Sequence, residues 1–353
     1  MQQLAFDVPG LRVRTVPSTR YQGSKAKLVS WIGETLQDLS FDTVLDAFGG
    51  TGVVGYWLKQ EGKKVTYNDI LRFNYLIGLA LIENKDVRLS DAEMQALFYP
   101  QPGRTYRTFI RDTYHDIYYT DEENRWLDIV VQNIAAIPDR YKQAIAYYAL
   151  FQACLVKRPF NLFHRRNLYL RLAEVERSFG NKTTWDTPFE THFRTFVAEA
   201  NNLVFDNGRH NLALNQNALE IEAQFDLVYV DPPYISSKGT GVDYYHFYHF
   251  LEGLARYDEW AELVDYDSRH RRLKTVYSPW TDKNAILEEF ERLFRRFRKS
   301  ILVVSYRSDG IPSIETLVQA LGSVKQRVTI FRLNDYQYVL SNRKTDEVLL
   351  VGT

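Results

Sequence analysis

Four consecutive residues, Asp231, Pro232, Pro233 and Tyr234, combine an acid, two rigid prolines and an aromatic ring. Proline fixes the backbone φ angle, so this turn should hold the Asp231 carboxylate, the Pro232 carbonyl and the Tyr234 ring in one cluster. An exocyclic amine on a nucleobase is a poor nucleophile, because its lone pair is conjugated into the ring. Two acceptors for its hydrogens would draw the nitrogen towards tetrahedral geometry, and an aromatic face would stack on the extruded base.

The element that must position this tetrapeptide is the apolar run directly before it, Leu227 to Val230. Its β-branched and aromatic residues, closed by prolines, predict a buried strand, and ligands of open α/β sheets bind at the carboxyl ends of strands. The alternative is a chance turn after a strand. The motif from Asp231 to Tyr234 resembles the catalytic motif of the S-adenosylmethionine-dependent amino-methyltransferases of DNA.

A second unit, from Phe41 to Ile70, predicts a strand, a glycine loop, a helix and another strand with an acid at its end. Its loop resembles the Asp-x-Phe-x-Gly-x-Gly cofactor loop of the same family. The resemblance implies that Asp46 and Phe48 face the methionine portion of S-adenosylmethionine and that Asp69 binds the ribose. The loop residues proposed to surround this cofactor are Gly49, Gly50, Thr51 and Gly52. The alternative is a dehydrogenase-like nucleotide fold.

Two other segments complete the predicted cofactor site. The first segment contains Tyr21, Gly23 and Lys25 and leads into a helix predicted from about Lys25 to Leu36. It resembles the N-terminal motif that closes over the cofactor in adenine methyltransferases. The alternative is an ordinary helix start capped by Ser24. Asn217 falls where the family places a polar side chain near the adenine of the cofactor.

A basic segment from Lys157 to Arg171 contains no acid and has aromatic residues interleaved. This pattern is typical of phosphate contacts and base stacking, although a solvated basic surface is the alternative. The segment also resembles, loosely in spacing, the part that leads into the target-recognition region of deoxyadenosine methylases. The candidate DNA-binding residues along the chain are Lys157, Arg158, Arg165, Arg166, Asn167, Lys182, Lys238, Arg271 and Arg272.

The composition sets limits on the class of protein. The 353 residues carry 44 basic and 44 acidic side chains, so any nucleic-acid surface must be a local patch. The single cysteine, Cys154, excludes an intramolecular disulfide, and no signal peptide or membrane span is apparent, so we expect a cytoplasmic protein. We also expect a monomer. His246 and His249 lie one turn apart, but no further ligand completes a metal site, so no metal is expected.

These patterns predict an α/β, Rossmann-like methyltransferase sheet with a largely helical target-recognition insertion. We expect residues 1–85 and 203–353 to form the catalytic core and residues 86–202 the insertion. The resemblance implies an S-adenosylmethionine-dependent adenine N6-methyltransferase of double-stranded DNA, of the alpha group, possessing a separate restriction endonuclease partner or acting alone. The alternatives are methylation of another planar amine, in cytosine or RNA, and a catalytically silent DNA-binding module.

Overall fold

The computed structural model describes residues 21–175, 181–236, 239, 241–337 and 344–353. These residues form one seven-stranded sheet with the strand order β3-β2-β1-β4-β5-β7-β6. The strands are β1 (Thr43–Asp46), β2 (Lys64–Asn68), β3 (Leu212–Leu214), β4 (Leu227–Val230), β5 (Ile301–Arg307), β6 (Val328–Gln337) and β7 (Lys344–Gly352).

Helices precede the sheet, cover it and fill the long connection between β2 and β3. They are α1 (Val29–Leu36), α2 (Val53–Gln60), α3 (Arg72–Gly78), α4 (Asp91–Leu97), α5 (Phe109–Thr113), α6 (Asp121–Ala135), α7 (Arg140–Val156), α8 (Leu168–Leu172), α9 (Lys182–Asp186), α10 (Phe189–Leu203), α11 (Tyr244–Phe247), α12 (His249–Ala255), α13 (Trp260–Leu263), α14 (Ile286–Arg296) and α15 (Ile314–Gly322). A π-helical turn, Leu79–Glu83, continues α3.

The order in which the chain adds strands to the sheet reverses between β1 and β4, although the two strands are parallel. Strand β1 pairs in parallel with β2 on one side and with β4 on the other, and β4 pairs in parallel with β5. The chain therefore runs outwards from β1 to β3 and returns to β4 at the centre of the sheet. Such a switch point leaves a crevice beyond the carboxyl ends of the central strands, where ligands bind.

Both faces of the sheet are covered. Along β4, Leu227 and Tyr229 join one apolar cluster, whereas Val228 and Val230 join a second cluster on the opposite face. The first cluster includes residues of α1 to α7, α10 and α12, and the second includes residues of α14 and α15. Burial on both faces explains why β4 is apolar without alternation, and it confirms the predicted α/β class.

The start of α1 differs from the prediction, because the helix begins at Val29 and not at Lys25. The Ser24 hydroxyl accepts from the backbone N–H of Ala26 and forms a turn, so it does not cap the helix. Between β2 and β3 the described residues form helices and no strand, which agrees with a helical insertion. The predicted domain boundaries and the monomeric state stay predictions. In the described part of the chain, none of the helices is both long and apolar enough to span a bilayer.

Candidate active site

Three acids from three neighbouring strand ends meet around one cavity. Asp46 is the last residue of β1, Asp69 follows β2, and Asp231 follows β4. All three line a cavity of about 510 Å³ at the switch point of the sheet. This volume is in the range of sites that hold small molecules. The sequence alone placed each acid at a strand end, and the parallel pairing of the strands brings them together.

The glycine loop between β1 and α2 is shaped by contacts within the protein. A Cβ atom on Gly49 would lie 2.0 Å from the ring of Tyr67, so only glycine fits beside this side chain. Gly52 has a φ of 75° at the start of α2, a conformation that favours glycine. Gly50 donates its backbone N–H to Asp69 at 2.9 Å. The acid after β2 therefore fixes the loop that follows β1.

The pKa values of the two acids beside this loop, Asp46 and Asp69, are both raised. Burial, reinforced by the nearby Asp231 carboxylate, raises the pKa of Asp46 to about 8, against a hydrogen bond from the N–H of Gly55. Burial also raises the pKa of Asp69 to about 6, although N–H donors from Leu71, Gly50 and Asn74 oppose this shift. A bound cation would favour the charged forms of both carboxylates.

The Asp231 carboxylate is held by two donors. Lys25 Nζ donates to its Oδ1 at 2.9 Å, and the Tyr234 hydroxyl donates to the same oxygen at 2.6 Å. Lys25 Nζ also donates to the Tyr234 hydroxyl at 2.6 Å, which closes a triangle of hydrogen bonds. Burial lowers the pKa of Lys25, but the carboxylates of Asp231 and Glu347 outweigh burial and raise it well above its usual range. Lys25 is therefore a charged partner of Asp231.

Tyr234 does not offer the stacking face that the sequence predicts. Its side chain is only 4% exposed and packs edge-on against Tyr306, while Pro232 is also buried. Asp231 and Pro233 line the cavity, but Tyr234 does not. The prediction that a base stacks on Tyr234 is thus corrected for this conformation, because the hydrogen bonds to Lys25 and Asp231 draw the ring into the core. Other aromatic side chains line the cavity, among them Tyr244, Tyr245, Tyr277 and Trp280.

Most residues predicted to surround a cofactor come together in the same cavity. Ten of them contribute to its lining: Tyr21, Gly23, Lys25, Asp46, Phe48, Gly49, Gly50, Thr51, Asp69 and Asn217. Gly52 does not line the cavity. It forms the turn that leads into α2. Glu252 also lines the cavity, although the sequence did not indicate it, and it accepts from the backbone N–H of Phe73 at 3.1 Å. No local pattern marks this residue, since its partner is far away in the sequence.

Comparison with known proteins agrees with this geometry. The sequence profile of the D12 class N6 adenine-specific DNA methyltransferases matches residues 21–308. The chain belongs to this family. The match includes the N-terminal segment, the glycine loop, the helical insertion and the tetrapeptide after β4, so it confirms the resemblance drawn from the sequence. It excludes the dehydrogenase alternative.

Individual relatives are named as type II methyltransferases or modification methylases. The chain is 30% identical over 322 residues to the type II methyltransferase M2.HphI of Haemophilus parahaemolyticus, a match that covers 89% of this chain and 90% of that protein. It is 28% identical over 317 residues to the modification methylase LlaI of Lactococcus lactis, covering 85% of this chain and 48% of that protein. It is 25% identical over 307 residues to the type II methyltransferase M.NlaIII of Neisseria lactamica, covering 83% and 85%.

In this D12 class methyltransferase, the basic segment is partly internal. Lys157 and Arg158 are each only 1% exposed, and Asn167 is also buried. Lys157 Nζ binds the Glu123 carboxylate at 2.9 Å, and Arg158 donates to the carbonyl of Leu162 at 2.8 Å. The prediction that these three residues contact DNA is wrong for this structure, because their polar groups face the protein interior.

Other predicted DNA-binding residues remain at the surface. Arg165 is exposed, and Arg166 is exposed while it pairs with Asp116 at 2.9 Å. Lys182 pairs with Asp186 at 3.2 Å, and Arg272 pairs with Asp265 at 3.2 Å. Arg271 is half-buried. Lys238 lies outside the described residues. The role of these surface cations in DNA binding stays a prediction.

His249 has a structural role. It is buried, and its Nε2 lies 2.8 Å from the hydroxyl of Tyr118. Within the described ranges, no group of three or more His, Cys, Asp or Glu side chains is arranged to hold a metal ion. Cys154 is buried, and burial raises the pKa of its thiol. A buried neutral thiol is unreactive.

Proposed function

We propose that this protein transfers a methyl group from S-adenosylmethionine to N6 of an adenine flipped out of double-stranded DNA, as a site-specific modification enzyme. The observation that carries the proposal is the convergence of Asp46, Asp69 and Asp231 on one cavity at the switch point of the sheet. Membership of the D12 class indicates the reaction, methyl transfer to DNA, and the target base, adenine. The cavity at the strand ends is the proposed binding site for both S-adenosylmethionine and the flipped adenine.

The charges of the cavity suit a cationic cofactor. In the described part of the chain, five acidic and two basic side chains line it: Asp46, Asp69, Asp231, Asp243, Glu252, Lys25 and Arg256. An excess of buried carboxylates is stabilised by a bound cation. S-adenosylmethionine carries a sulfonium and an ammonium group, and when bound it supplies the methyl group. Asp46 and Asp69 would hold its two ends, with Phe48 and Asn217 beside them.

Asp231 is proposed to accept a hydrogen bond from the adenine N6 amine. Its carboxylate reaches the cavity, and Pro233 next to it also lines the wall. Because Tyr234 is buried, the flat surfaces available to the base are those of Tyr244, Tyr245 and Tyr277. Tyr277 lines the cavity and is 68% exposed, so its ring is accessible to an incoming base. The names of the relatives support a modification role. Any restriction endonuclease is proposed to act as a separate protein.

The nucleoside product tests this function directly. DNA of mixed sequence, incubated with the protein and methyl-labelled S-adenosylmethionine, should contain N6-methyladenine as the only labelled nucleoside after enzymatic digestion. Adenine N6 and cytosine N4 are both conjugated amines, so Asp231 alone does not select between them. N4-methylcytosine as the main product would contradict the target base, whereas label in neither base would contradict the methyltransferase activity itself.

The exposed part of the basic segment is expected to contact phosphates. Each phosphate contact that is lost should reduce the magnitude of the salt slope of DNA binding by about 0.9. We therefore expect a shallower slope for Arg165→Ala combined with Arg166→Ala. Arg298→Ala combined with Lys299→Ala is the matched control, since both residues are exposed just after α14. Equal slopes for wild type and the first variant would assign the segment to ordinary solvated surface.

A further inference from the structure

A second buried acid stands behind the proposed acceptor. Glu347 lies on β7, between β5 and β6, directly before the apolar residues Val348 to Val351. Its side chain is 0% exposed, and it lies beyond residues 21–308 that match the family. Burying a carboxylate is costly unless a partner compensates it, so the surroundings of this residue require an explanation.

Glu347 is connected to Asp231 through Lys25. Lys25 Nζ lies 3.5 Å from Glu347 Oε1 and 2.9 Å from Asp231 Oδ1. The hydroxyl of Ser305, on β5, donates to Glu347 Oε1 at 2.6 Å. One buried ammonium group thus bridges two carboxylates, one directly after β4 and the other on β7.

This bridge determines which oxygen of Asp231 is engaged. Lys25 Nζ and the Tyr234 hydroxyl both donate to Oδ1, and among the described residues no donor reaches Oδ2. The Asp231 side chain is 15% exposed and lines the cavity. Oδ2 is therefore the oxygen that remains to accept from a substrate amine.

We propose that Glu347 is a positioning residue for methyl transfer: it holds the Lys25 ammonium between two carboxylates, so that Asp231 keeps Oδ2 and much of its negative charge for the substrate. The inference rests on the proposed role of Asp231 as acceptor of the N6 amine. A lysine paired with Asp231 alone would neutralise most of the charge of that carboxylate and weaken it as a hydrogen-bond acceptor. A lysine shared with Glu347 neutralises Asp231 less, so Asp231 remains a stronger acceptor.

The proposal has a consequence for pH dependence. Burial raises the pKa of Glu347 to about 7, although Lys25 opposes this shift. Among the described residues, the charged and titratable groups that face it include Lys25, Asp231, Tyr234, Tyr229 and Tyr244. Below its pKa, Glu347 is neutral and no longer shares the lysine. The transfer rate should therefore fall as the pH drops through about 7.

Glu347→Gln tests this directly, because it keeps the size of the side chain and removes its charge. At saturating S-adenosylmethionine, its single-turnover rate at pH 8 is expected to be about tenfold below wild type, with cofactor affinity within about twofold. The variant should lack the fall in rate near pH 7. At low pH the wild-type rate should approach the rate of the variant.

Ser305→Ala gives an independent test that leaves the charge in place. The Ser305 hydroxyl stabilises the ionised form of Glu347, so its removal should raise the pKa of Glu347 further. The fall in rate should then move to higher pH, while the rate at high pH stays within about threefold of wild type. A residue with only a structural role would not shift the pH profile.

Glu289→Gln is the matched control, since Glu289 is also buried and pairs with a cation, Arg292, at 2.6 Å. Its rate and pH profile should equal those of wild type. A wild-type rate and profile in Glu347→Gln would overturn the proposal, as would a loss explained by cofactor affinity alone. If Glu347→Gln does not fold, an unshifted profile in Ser305→Ala would overturn it. An active Asp231→Ala would instead reject the proposed role of Asp231.

Discussion

Replacing Asp231 by alanine is expected to abolish methyl transfer to DNA while S-adenosylmethionine still binds. The variant loses the proposed acceptor of the N6 amine and leaves Lys25 and Glu347 as a buried pair next to the cavity. Removal of one preorganised polar group from an active site costs about 10²–10³ in rate. Asp46 and Asp69, which are proposed to hold the cofactor, lie at the ends of other strands. Single-turnover methylation and calorimetric titration of the cofactor measure the two effects separately.

Asp309→Ala provides the comparison for this variant. Asp309 follows the carboxyl end of a neighbouring strand, β5, and pairs with a cation, Arg307, but it does not line the cavity. Its activity should remain within about threefold of wild type, since surface changes away from a site have small effects. Near-normal turnover of Asp231→Ala would remove Asp231 from the reaction. A parallel loss of cofactor affinity would assign it to the cofactor site.

The sequence predicts the cavity well because each of its parts is marked locally. Asp46 and Asp231 each follow an apolar run, and Asp69 ends the unit that contains the glycine loop. In a parallel sheet these strand ends lie at one edge, so local positions translate into a shared site. Pairing between β1, β2 and β4 is then sufficient to bring the three acids together.

Helix boundaries depend on capping, and one cap could have been read from the sequence. Apolar periodicity alone predicts a helix from Trp126 to Ile137, whereas α6 begins at Asp121. Thr120 and Glu123 form a capping box, in which each side chain accepts from the backbone N–H of the other residue. The spacing of a threonine three residues before a glutamate is the signature of this motif. The boundary was therefore predictable from local chemistry.

The burial of charged residues was not predictable, because the partners are distant in the sequence. The basic segment contains no acid, yet Lys157 and Arg171 share a carboxylate from Glu123. Lys25 and Glu347 belong to opposite ends of the chain. A local charge pattern cannot distinguish a solvated cation from one that the fold pairs internally. The same limit explains why the inward orientation of Tyr234 was missed.

Replacing Glu123 by alanine is expected to destabilise the fold by about 3–5 kcal/mol, the usual cost of removing one partner from a buried ion pair. Glu123 Oε1 binds Lys157 at 2.9 Å and Arg171 at 2.7 Å, and its Oε2 binds Arg171 at 2.8 Å. Both cations are buried and would lose their only carboxylate partner among the described residues. Equilibrium unfolding in urea measures the free energy of unfolding of each variant.

Two further variants separate the charge from other effects. Glu122→Ala removes an exposed neighbour in the same helical turn and should change the free energy of unfolding by less than about 0.5 kcal/mol. Glu123→Gln retains an acceptor for the cap but no charge, so it should keep most of the destabilisation. Burial raises the pKa of Glu123, but Arg171 and Lys157 outweigh it and lower that pKa. Its stabilisation is therefore complete above the unfolded pKa of about 4.3 and is lost on further acidification. If Glu123→Ala unfolded like Glu122→Ala, the internal role assigned to Lys157 would be wrong, and this residue would again be a candidate for phosphate binding.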